Sequence, residues 1–340
     1  KASIQAAKAQ KDAEKEKEEI KSAEDWFNLG NKFVEGTDGV AKNETAAAKH
    51  YRKAADLGHA DAQALLGAMY REGRGVRPSD QSAAGWFLKA AEQGHADAQY
   101  ELGALYADGA GLRQSEVTAV AWVKKAAEQG HAAAQHAMGV TYDQGEVPGY
   151  PQNDALAMEW YRKSADQGFA NAQFNLGILY FQGSGVEADE AVAADWYRKA
   201  ADQGHYSAQF NLGVMYKDGQ GVPQNAAEAF KWTKLAAEQG YDDAQCNVGA
   251  MYAEGDGVER DLGAALRWFH KAVASEYTPR PPADDDERDE SAGRPDCPLA
   301  GGLLALGVQT PSPSSYSYSY SFSYSYSYSY SYSYSYSYSY

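Results

Sequence analysis

The sequence predicts an all-α solenoid of tandem helix–loop–helix repeats, and three recurring features support this prediction. The stretch Lys-Ala-Ala-Glu-Gln-Gly-His occurs twice with a shift of 36 residues, beginning at Lys89 and at Lys125. Leu-Gly pairs keep the same register, with their leucines at Leu66, Leu102, Leu176 and Leu212. Tryptophans recur every 36 to 38 residues, at Trp86, Trp122, Trp160, Trp196, Trp232 and Trp268. Self-similarity at a fixed period of this length is typical of proteins in which each repeat contacts its neighbours.

The period divides the chain into seven units of about 36 residues. The first unit has one extra residue, in the stretch from Gly36 to Gly39, and the fourth has two, in the stretch from Gly145 to Pro151. The units cover residues 23–59, 60–95, 96–131, 132–169, 170–205, 206–241 and 242–274.

Residues 170–205 illustrate the predicted structure of one unit. Small and apolar residues recur at helical spacing in its first half and define the buried face of a first helix. Gly183 suits the left-handed conformation that ends this helix, and Asp189 stands where the N-cap of a second helix is expected. The second helix ends at Gly204, and His205 is expected at the C″ position, in contact with the last turn.

Stacking of neighbouring units is needed because one hairpin of this size cannot bury its apolar face alone. Glycines in the first helices, such as Gly177, allow close approach. Aromatic residues fill the space between layers, since each buries about 150–250 Å². The predicted core therefore contains the six recurring tryptophans and a tyrosine from each of six first helices. These tyrosines are Tyr70, Tyr106, Tyr142, Tyr180, Tyr216 and Tyr252.

The repeat motif resembles that of a known family. In residues 170–205 it is Ala-x-Ala-Gln-x-x-Leu-Gly-x-x-Tyr-x-x-Gly-x-Gly-Val, followed by Ala-x-x-Trp-Tyr-x-Lys-Ala-Ala-x-x-Gly-His. Residues 23–274 resemble the Sel-one-like repeat (SLR) family, a relative of the tetratricopeptide repeat. The resemblance implies a right-handed superhelical adaptor that assembles protein complexes without chemistry of its own. The chain departs from the motif at His50, which replaces a tryptophan, at Leu235, which replaces a lysine, and after Ala274.

Two segments outside the repeats lack the period. Residues 1–22 are rich in Ala, Lys and Glu and are predicted to form a charged helical extension. Residues 275–340 are predicted to be a disordered tail, at first acidic and proline-rich and then, over 314–340, almost pure Ser-Tyr alternation. This alternation has two interpretations: a translated microsatellite, or a strand-compatible element whose tyrosines self-associate.

Charge and composition exclude several kinds of partner. The 340 residues include 31 basic and 47 acidic side chains, a formal charge of −16. Nucleic acid and anionic membranes are therefore not expected as partners, because binding to them relies on clustered Lys and Arg. No apolar run approaches the ~20 residues of a membrane span. The two cysteines, Cys246 and Cys297, are too few for a disulfide framework or a cysteine-only metal site.

The motifs predict no enzyme, no metal site and no cofactor. Four histidines occupy the same position in different repeats: His59, His95, His131 and His205. Successive copies should lie about 10 Å apart, too far for shared ligation at about 2 Å. Phe169 and Tyr241 hold this position in other repeats, which favours a structural role for a flat ring. The Gly-x-Gly loops lack the lysine and strand of a phosphate loop, and neither His-Glu-x-x-His nor Gly-x-Ser-x-Gly occurs.

One face of the first helices is the candidate partner-binding surface. Counted from the start of each unit, positions 2, 6, 9 and 13 fall on one stripe opposite the core, expected to line the concave side of the solenoid. The stripe is acidic in the early repeats, amide-rich in the middle and acidic again at the end. The candidate residues are Asp61, Asp97, Glu101, Asn171, Asn175, Ile178, Asn211, Val214, Asp243 and Asn247.

Asn175, Asn211 and Asn247 form a predicted ladder with one rung in each of three repeats. An amide offers both donors and an acceptor, which suits the capture of an extended peptide main chain. The hypothesis is a groove for a peptide or a helix, with acidic ends that favour basic partners. The alternative is that these amides are merely solvated.

Two classes of function remain, and a third is disfavoured. The leading hypothesis is a non-enzymatic scaffold or adaptor that binds other proteins. The alternative is a structural or self-assembling protein that associates through its Ser-Tyr tail. A hydrolase would need a nucleophile and a base that the sequence does not bring together. The cytoplasm is the expected location, and the lumen of the endoplasmic reticulum, where family members also work, stays open.

Overall fold

The computed structural model describes residues 22–37 and 39–275. In these residues the chain forms fourteen helices and no strand. The helices are α1 (Ala23–Glu35), α2 (Glu44–Asp56), α3 (Ala60–Glu72), α4 (Asp80–Glu92), α5 (Ala96–Asp108), α6 (Glu116–Glu128), α7 (Ala132–Gln144), α8 (Asp154–Ala165), α9 (Ala170–Gln182), α10 (Glu190–Asp202), α11 (Tyr206–Asp218), α12 (Ala226–Glu238), α13 (Asp242–Glu254) and α14 (Leu262–Ser275). Residues 1–21 of the predicted helical extension (1–22) and residues 276–340 of the predicted disordered tail (275–340) lie outside the described residues, whereas Ser275 ends α14.

Odd-numbered helices are the first helices of the repeats, and even-numbered helices are the second. A first helix contacts the second helix of its own repeat, as α3 contacts α4, and a second helix contacts the next first helix, as α4 contacts α5. This succession of contacts confirms the predicted all-α repeats. The chain divides into two compact units, one ending at Ala134 and the other beginning at Gln135, so the division falls within α7.

The caps of the helices follow from the turn residues of the motif. Asp189 accepts hydrogen bonds from the backbone N–H groups of Ala191 and Val192, both at 3.0 Å, and so caps α10. Gly183 ends α9 with φ at 77°, and its N–H donates to the carbonyl of Leu179. Both predicted caps are confirmed. They matter because the last carbonyls and first N–H groups of a helix lack partners within it.

Aromatic side chains fill the spaces between helices in both units. In the first unit, Leu66 packs with Trp26 and Trp86. In the second, Leu176 packs with Trp196, and Leu212 with Trp232, both tryptophans being 7% exposed. The six predicted tyrosines also pack against these apolar clusters, half-buried: Tyr70, Tyr106, Tyr142, Tyr180, Tyr216 and Tyr252.

Close helix approach depends on glycine in the first helices. A Cβ atom added to Gly177 would lie 2.5 Å from ring carbons of Tyr197, on the second helix of the same repeat. At Gly139 the corresponding distance to the ring of Tyr161 is 2.4 Å. Interiors packed this tightly have no space for an added methyl group, so the aromatic ring of α8 or α10 takes the place of a side chain on the helix it packs against.

Buried glutamines form hydrogen bonds both to the preceding repeat and within their own repeat, and the sequence analysis did not predict them. Gln209 Nε2 donates to the carbonyl of Ala201 in the preceding repeat at 3.1 Å, and Gln239 Nε2 donates to Gln209 Oε1 at 2.8 Å. The same glutamine pairs occur at Gln93–Gln63, Gln129–Gln99, Gln167–Gln135 and Gln203–Gln173. In the last repeat Gln245 Oε1 is buried without a hydrogen-bond partner in the described part of the chain, and Ser275 stands where the second to sixth repeats have the donor glutamine.

The departures from the motif have local compensations. In the sixth repeat, where leucine replaces the usual lysine, Lys231 Nζ lies 4.8 Å from the ring centroid of Trp232. In the first repeat, the ring of His50 takes the place of the tryptophan. It stacks on Trp26 and on Phe33, with centroid distances of 5.4 and 5.2 Å. At or beside the position of the recurring tryptophan, the sixth repeat therefore keeps a cation and the first repeat keeps a flat ring.

Candidate functional site

The four recurring histidines are N-caps of first helices, a role the sequence analysis did not assign to them. In His205, Nδ1 accepts the backbone N–H of Ala208, three residues on in α11, at 3.2 Å. The same bond, at 3.1 to 3.3 Å, is made by His59, His95 and His131. In His59, His131 and His205 the imidazole also stacks on an aromatic ring of the preceding first helix, as His205 does on Phe174 with centroids 4.5 Å apart. The prediction of a C″ contact was therefore incomplete, because the same residue begins the next helix.

The acidic residues at position 2 face these histidines in the first unit. Asp61 Oδ1 lies 3.3 Å from Nε2 of His95, and Asp97 Oδ1 lies 3.4 Å from Nε2 of His131. The carboxylate side chains stay 60% and 65% exposed. The predicted acidic end of the partner face thus also contacts the N-cap of the next repeat. Among the described residues no group of three or more His, Cys, Asp or Glu is arranged to hold a metal ion.

Glu101, the third acidic residue of this end, is paired within the protein. It forms a salt bridge with Arg71 of the preceding first helix, and the two side chains are 16% and 20% exposed. Burial raises the pKa of Glu101, and the nearby Arg71 guanidinium opposes that shift. This part of the face therefore presents less negative charge than the sequence predicts.

The three asparagines of the predicted ladder have different environments. Asn175 is only 8% exposed, and its Nδ2 lies 3.1 Å from Nε2 of His136. Asn211 is half-buried and hydrogen-bonds to the hydroxyl of Tyr197, whose pKa burial raises. Asn247 is half-buried and bonds to no other residue of the described chain. One rung of the ladder is therefore free, and two are engaged within the repeats.

Aliphatic residues accompany the asparagines at the ninth position of the same helices. Ile178 of α9, Val214 of α11 and Ala250 of α13 are each half-buried. Asn171 and Asp243, at the second position, are also half-buried. The face is therefore formed of amides and short apolar side chains, with part of each open to solvent.

A buried polar cluster lies beside Asn175 in the second unit. Tyr161 of α8 donates its hydroxyl hydrogen to Oδ2 of Asp143 at 3.3 Å, and Asp143 is 6% exposed. An amide nitrogen can only donate, so His136 accepts from Asn175 through Nε2. The ring of His136 also lies 5.5 Å from that of Tyr161.

This cluster borders a small cavity between α7, α8 and α9. Its volume is about 10 Å³, and its walls are Val140, Asp143, Gln144, Tyr161, Asn175, Ile178 and Leu179. Sequence reasoning missed its polar members other than Asn175. Alignment of the repeats could have found them, because His136 and Asp143 are unusual residue types at their positions. The position of His136 is occupied elsewhere by Tyr100, Phe174 and Phe210. The position of Asp143 is occupied by Phe181 and Lys217.

The repeats and their succession define a helical-repeat protein of the tetratricopeptide-like class. The model of the Sel1 repeat matches residues 27–59, 60–95, 96–131, 132–169, 170–205, 207–241 and 242–277. The chain belongs to the Sel1 repeat family. Proteins of this family generally mediate protein–protein interactions and are typically non-catalytic.

Two solved structures show the same fold at substantial identity. A protective antigen of uropathogenic Escherichia coli that displays an SLR fold is 34% identical, with a TM-score of 0.70 over 77% of this chain. The match covers 55% of that antigen, so this chain spans about half its length. A Sel1 repeat protein from Oxalobacter formigenes is 33% identical, with a TM-score of 0.64 over 73% of this chain and 96% of its own. Curated proteins gave no significant match.

Membrane insertion has no candidate helix in the described part of the chain. None of its helices combines the length and the apolar character needed to cross a bilayer.

Proposed function

We propose that this protein is a non-enzymatic adaptor that binds a peptide or a helix of a partner protein on the exposed face of its first helices. The observation that carries the proposal is the regular exposure of this face in the second unit. Ile178, Val214 and Ala250 remain partly open to solvent at intervals of 36 residues, while about half of each first helix is buried. A repeating row of apolar side chains next to amides is a surface of the kind that binds an extended chain or an amphipathic helix.

The amides support the orientation of such a partner. Asn247 has its whole amide available, whereas Asn175 and Asn211 each keep only part of their hydrogen-bonding capacity. The partner would therefore pair its main chain most completely with the last rung. Apolar contacts would dominate near α9 and α11.

Affinity recovery from a cell extract tests the proposal. The full chain is compared with a variant that carries Val214→Asp and Asn247→Ala, both on the exposed face. A control variant carries Asp202→Ala and Glu238→Ala, two exposed residues at the ends of second helices. The proposal expects specific partners with the full chain and the control, at least tenfold less with the face variant, and equal helicity for all three. Equal recovery by the face variant would contradict it.

Deletion of residues 276–340 separates the adaptor from the self-assembling alternative. An adaptor that binds through its first helices keeps its partners without this segment. A protein that assembles through the Ser-Tyr tract loses its oligomers instead, as measured by light scattering. Retained oligomers together with lost partners would count against both functions.

A further inference from the structure

We infer that the cavity between α7, α8 and α9 receives the ammonium group of a lysine from the partner polypeptide. The inference rests on the proposed function, since it assigns a specific contact to the same face. Asn175 and Ile178 belong both to the predicted stripe and to the wall of the cavity. A partner chain lying on this stripe would therefore pass over the opening.

The chemistry of the walls matches a lysine side chain. Val140, Ile178 and Leu179 supply aliphatic surface for its methylene groups, and the carboxylate of Asp143 and the hydroxyl of Tyr161 supply oxygen atoms for its charge. Asp143 is 6% exposed, so a negative charge on its carboxylate would be little screened by water. A cation brought next to a buried carboxylate interacts with it much more strongly than with one at the surface.

The size of the cavity favours an ammonium over a guanidinium. A volume of about 10 Å³ is close to that of a single water-sized group. An ammonium is a compact charge with three donors, whereas a guanidinium is a broad planar fork. The cavity therefore has room for the end of a lysine and not for that of an arginine.

Asn175 also shapes this site through His136. Its Nδ2 is directed to Nε2 of His136, and an amide held in this way offers its Oδ1 as an acceptor elsewhere. The carbonyl oxygen of Asn175 and the carboxylate of Asp143 are both suited to accept hydrogen bonds from an ammonium. In the other first helices the position of Asp143 is held by valine, arginine, alanine, phenylalanine or lysine, so in the second unit this combination is restricted to the fourth and fifth repeats.

The test uses n-butylammonium, which reproduces the lysine side chain, with the full chain in solution. Binding is followed by the NMR shifts of the side-chain amides of Gln144 and Asn175. We expect a saturable shift with n-butylammonium and none with 1-butanol or n-propylguanidinium. Acetyl-Gly-Lys-Gly-amide should bind as well, and its Nε-acetylated form should not. Equal responses to the neutral or the guanidinium probe would overturn the inference.

Two variants and a control complete the test. Asp143→Asn removes the charge, and Gln144→Lys supplies a competing ammonium at an exposed position that leaves the core untouched. Each should weaken the binding of n-butylammonium by at least tenfold. The control, Asp202→Asn at an exposed position of α10, should leave this affinity unchanged. Unchanged affinity in Gln144→Lys would overturn the inference even if Asp143→Asn does not fold. A chain that recovers partners normally yet binds no ammonium probe would overturn the lysine site and leave the proposed function standing.

Discussion

The imidazole of His205 stacks on Phe174 and, through Nδ1, accepts a hydrogen bond from the N–H of Ala208 in the first turn of α11. A protonated Nδ1 cannot accept this hydrogen bond, so the cap requires the neutral ring. Burial, with a smaller effect from the nearby His136, lowers the pKa of His205 to about 4. The connection between two repeats therefore depends on an uncharged histidine.

Stability should fall as the solution becomes acidic. The unfolded chain, with a histidine pKa of about 6.5, takes up a proton at a higher pH than the folded chain does. The contribution of His205 is therefore complete above pH 6.5 and is lost as pH falls toward 4. Between pH 7 and pH 5 we expect a loss of about 2 kcal/mol from this residue. Urea unfolding at both pH values measures it. His205→Phe, which copies Phe169, should reduce the pH dependence, and an unchanged dependence would contradict this assignment.

Gly177→Ala should destabilise the second unit. The added methyl group would lie 2.5 Å from the ring of Tyr197, and relief of such a clash costs about 1–3 kcal/mol. Gly85→Ala is the matched control, because a Cβ there meets nothing within 4 Å in helix α4. The control should be neutral or stabilising by up to about 1 kcal/mol. Thermal unfolding of both variants is the measurement, and equal effects at the two sites would refute the steric argument.

Gln209→Leu should cost more than the same change at Gln245. Both glutamines are buried and donate to a carbonyl of the preceding repeat, at 3.1 and 3.3 Å. Only Gln209 also accepts a hydrogen bond, from Gln239, whereas Oε1 of Gln245 has no partner among the described residues. The extra hydrogen bond is worth about 0.5–1.5 kcal/mol, and Gln245→Leu also removes a buried oxygen that lacks a partner there. Chemical denaturation should show the difference. A larger loss of unfolding free energy at Gln245 than at Gln209 would rule out the Gln209–Gln239 hydrogen bond as the cause.

Arg71→Gln should destabilise the first unit at neutral pH and much less at pH 4. Without Arg71, the pKa of Glu101 rises further above its ordinary value, because burial is no longer opposed. A carboxylate with a raised pKa in the folded state destabilises the fold at high pH, and the cost disappears when it is protonated. We expect Arg71→Gln to lower the free energy of unfolding by about 1–3 kcal/mol at pH 7. Lys234→Gln, which breaks an exposed pair with Glu238, should cost about 0.5 kcal/mol or less at any pH and serves as control. A pH-independent loss would contradict the role of Glu101.

Part of the fold was predictable because the period of the sequence repeats the same local signals. Asp189 and Gly183 were assigned correctly as caps, since their chemistry acts over three or four residues. His205 was assigned only half of its role, because a residue between two helices can serve both. The glutamine pairs were missed, since Gln209 and Gln239 are 30 residues apart and meet only when two helices stack.

The register of the candidate site residues on their helices was predictable, whereas their exposure and hydrogen bonding were not. Helical spacing placed Asn175, Asn211 and Asn247 at one register, and the structure keeps that register. Whether an amide faces solvent depends on its neighbours in other helices. His136 engages Asn175 and Tyr197 engages Asn211, whereas Thr233 stands where a tyrosine would reach Asn247.

The sequence by itself determined the number of repeats, the two helices in each and the family to which they belong, because all of these follow from spacing along the chain. Tertiary structure alone decided the charge and accessibility of the partner face. Glu101 meets Arg71 there, and Asp143, Tyr161 and Asn175 come together around one cavity. The members of each group lie 14 to 32 residues apart along the chain, so only the stacking of helices brings them within contact distance.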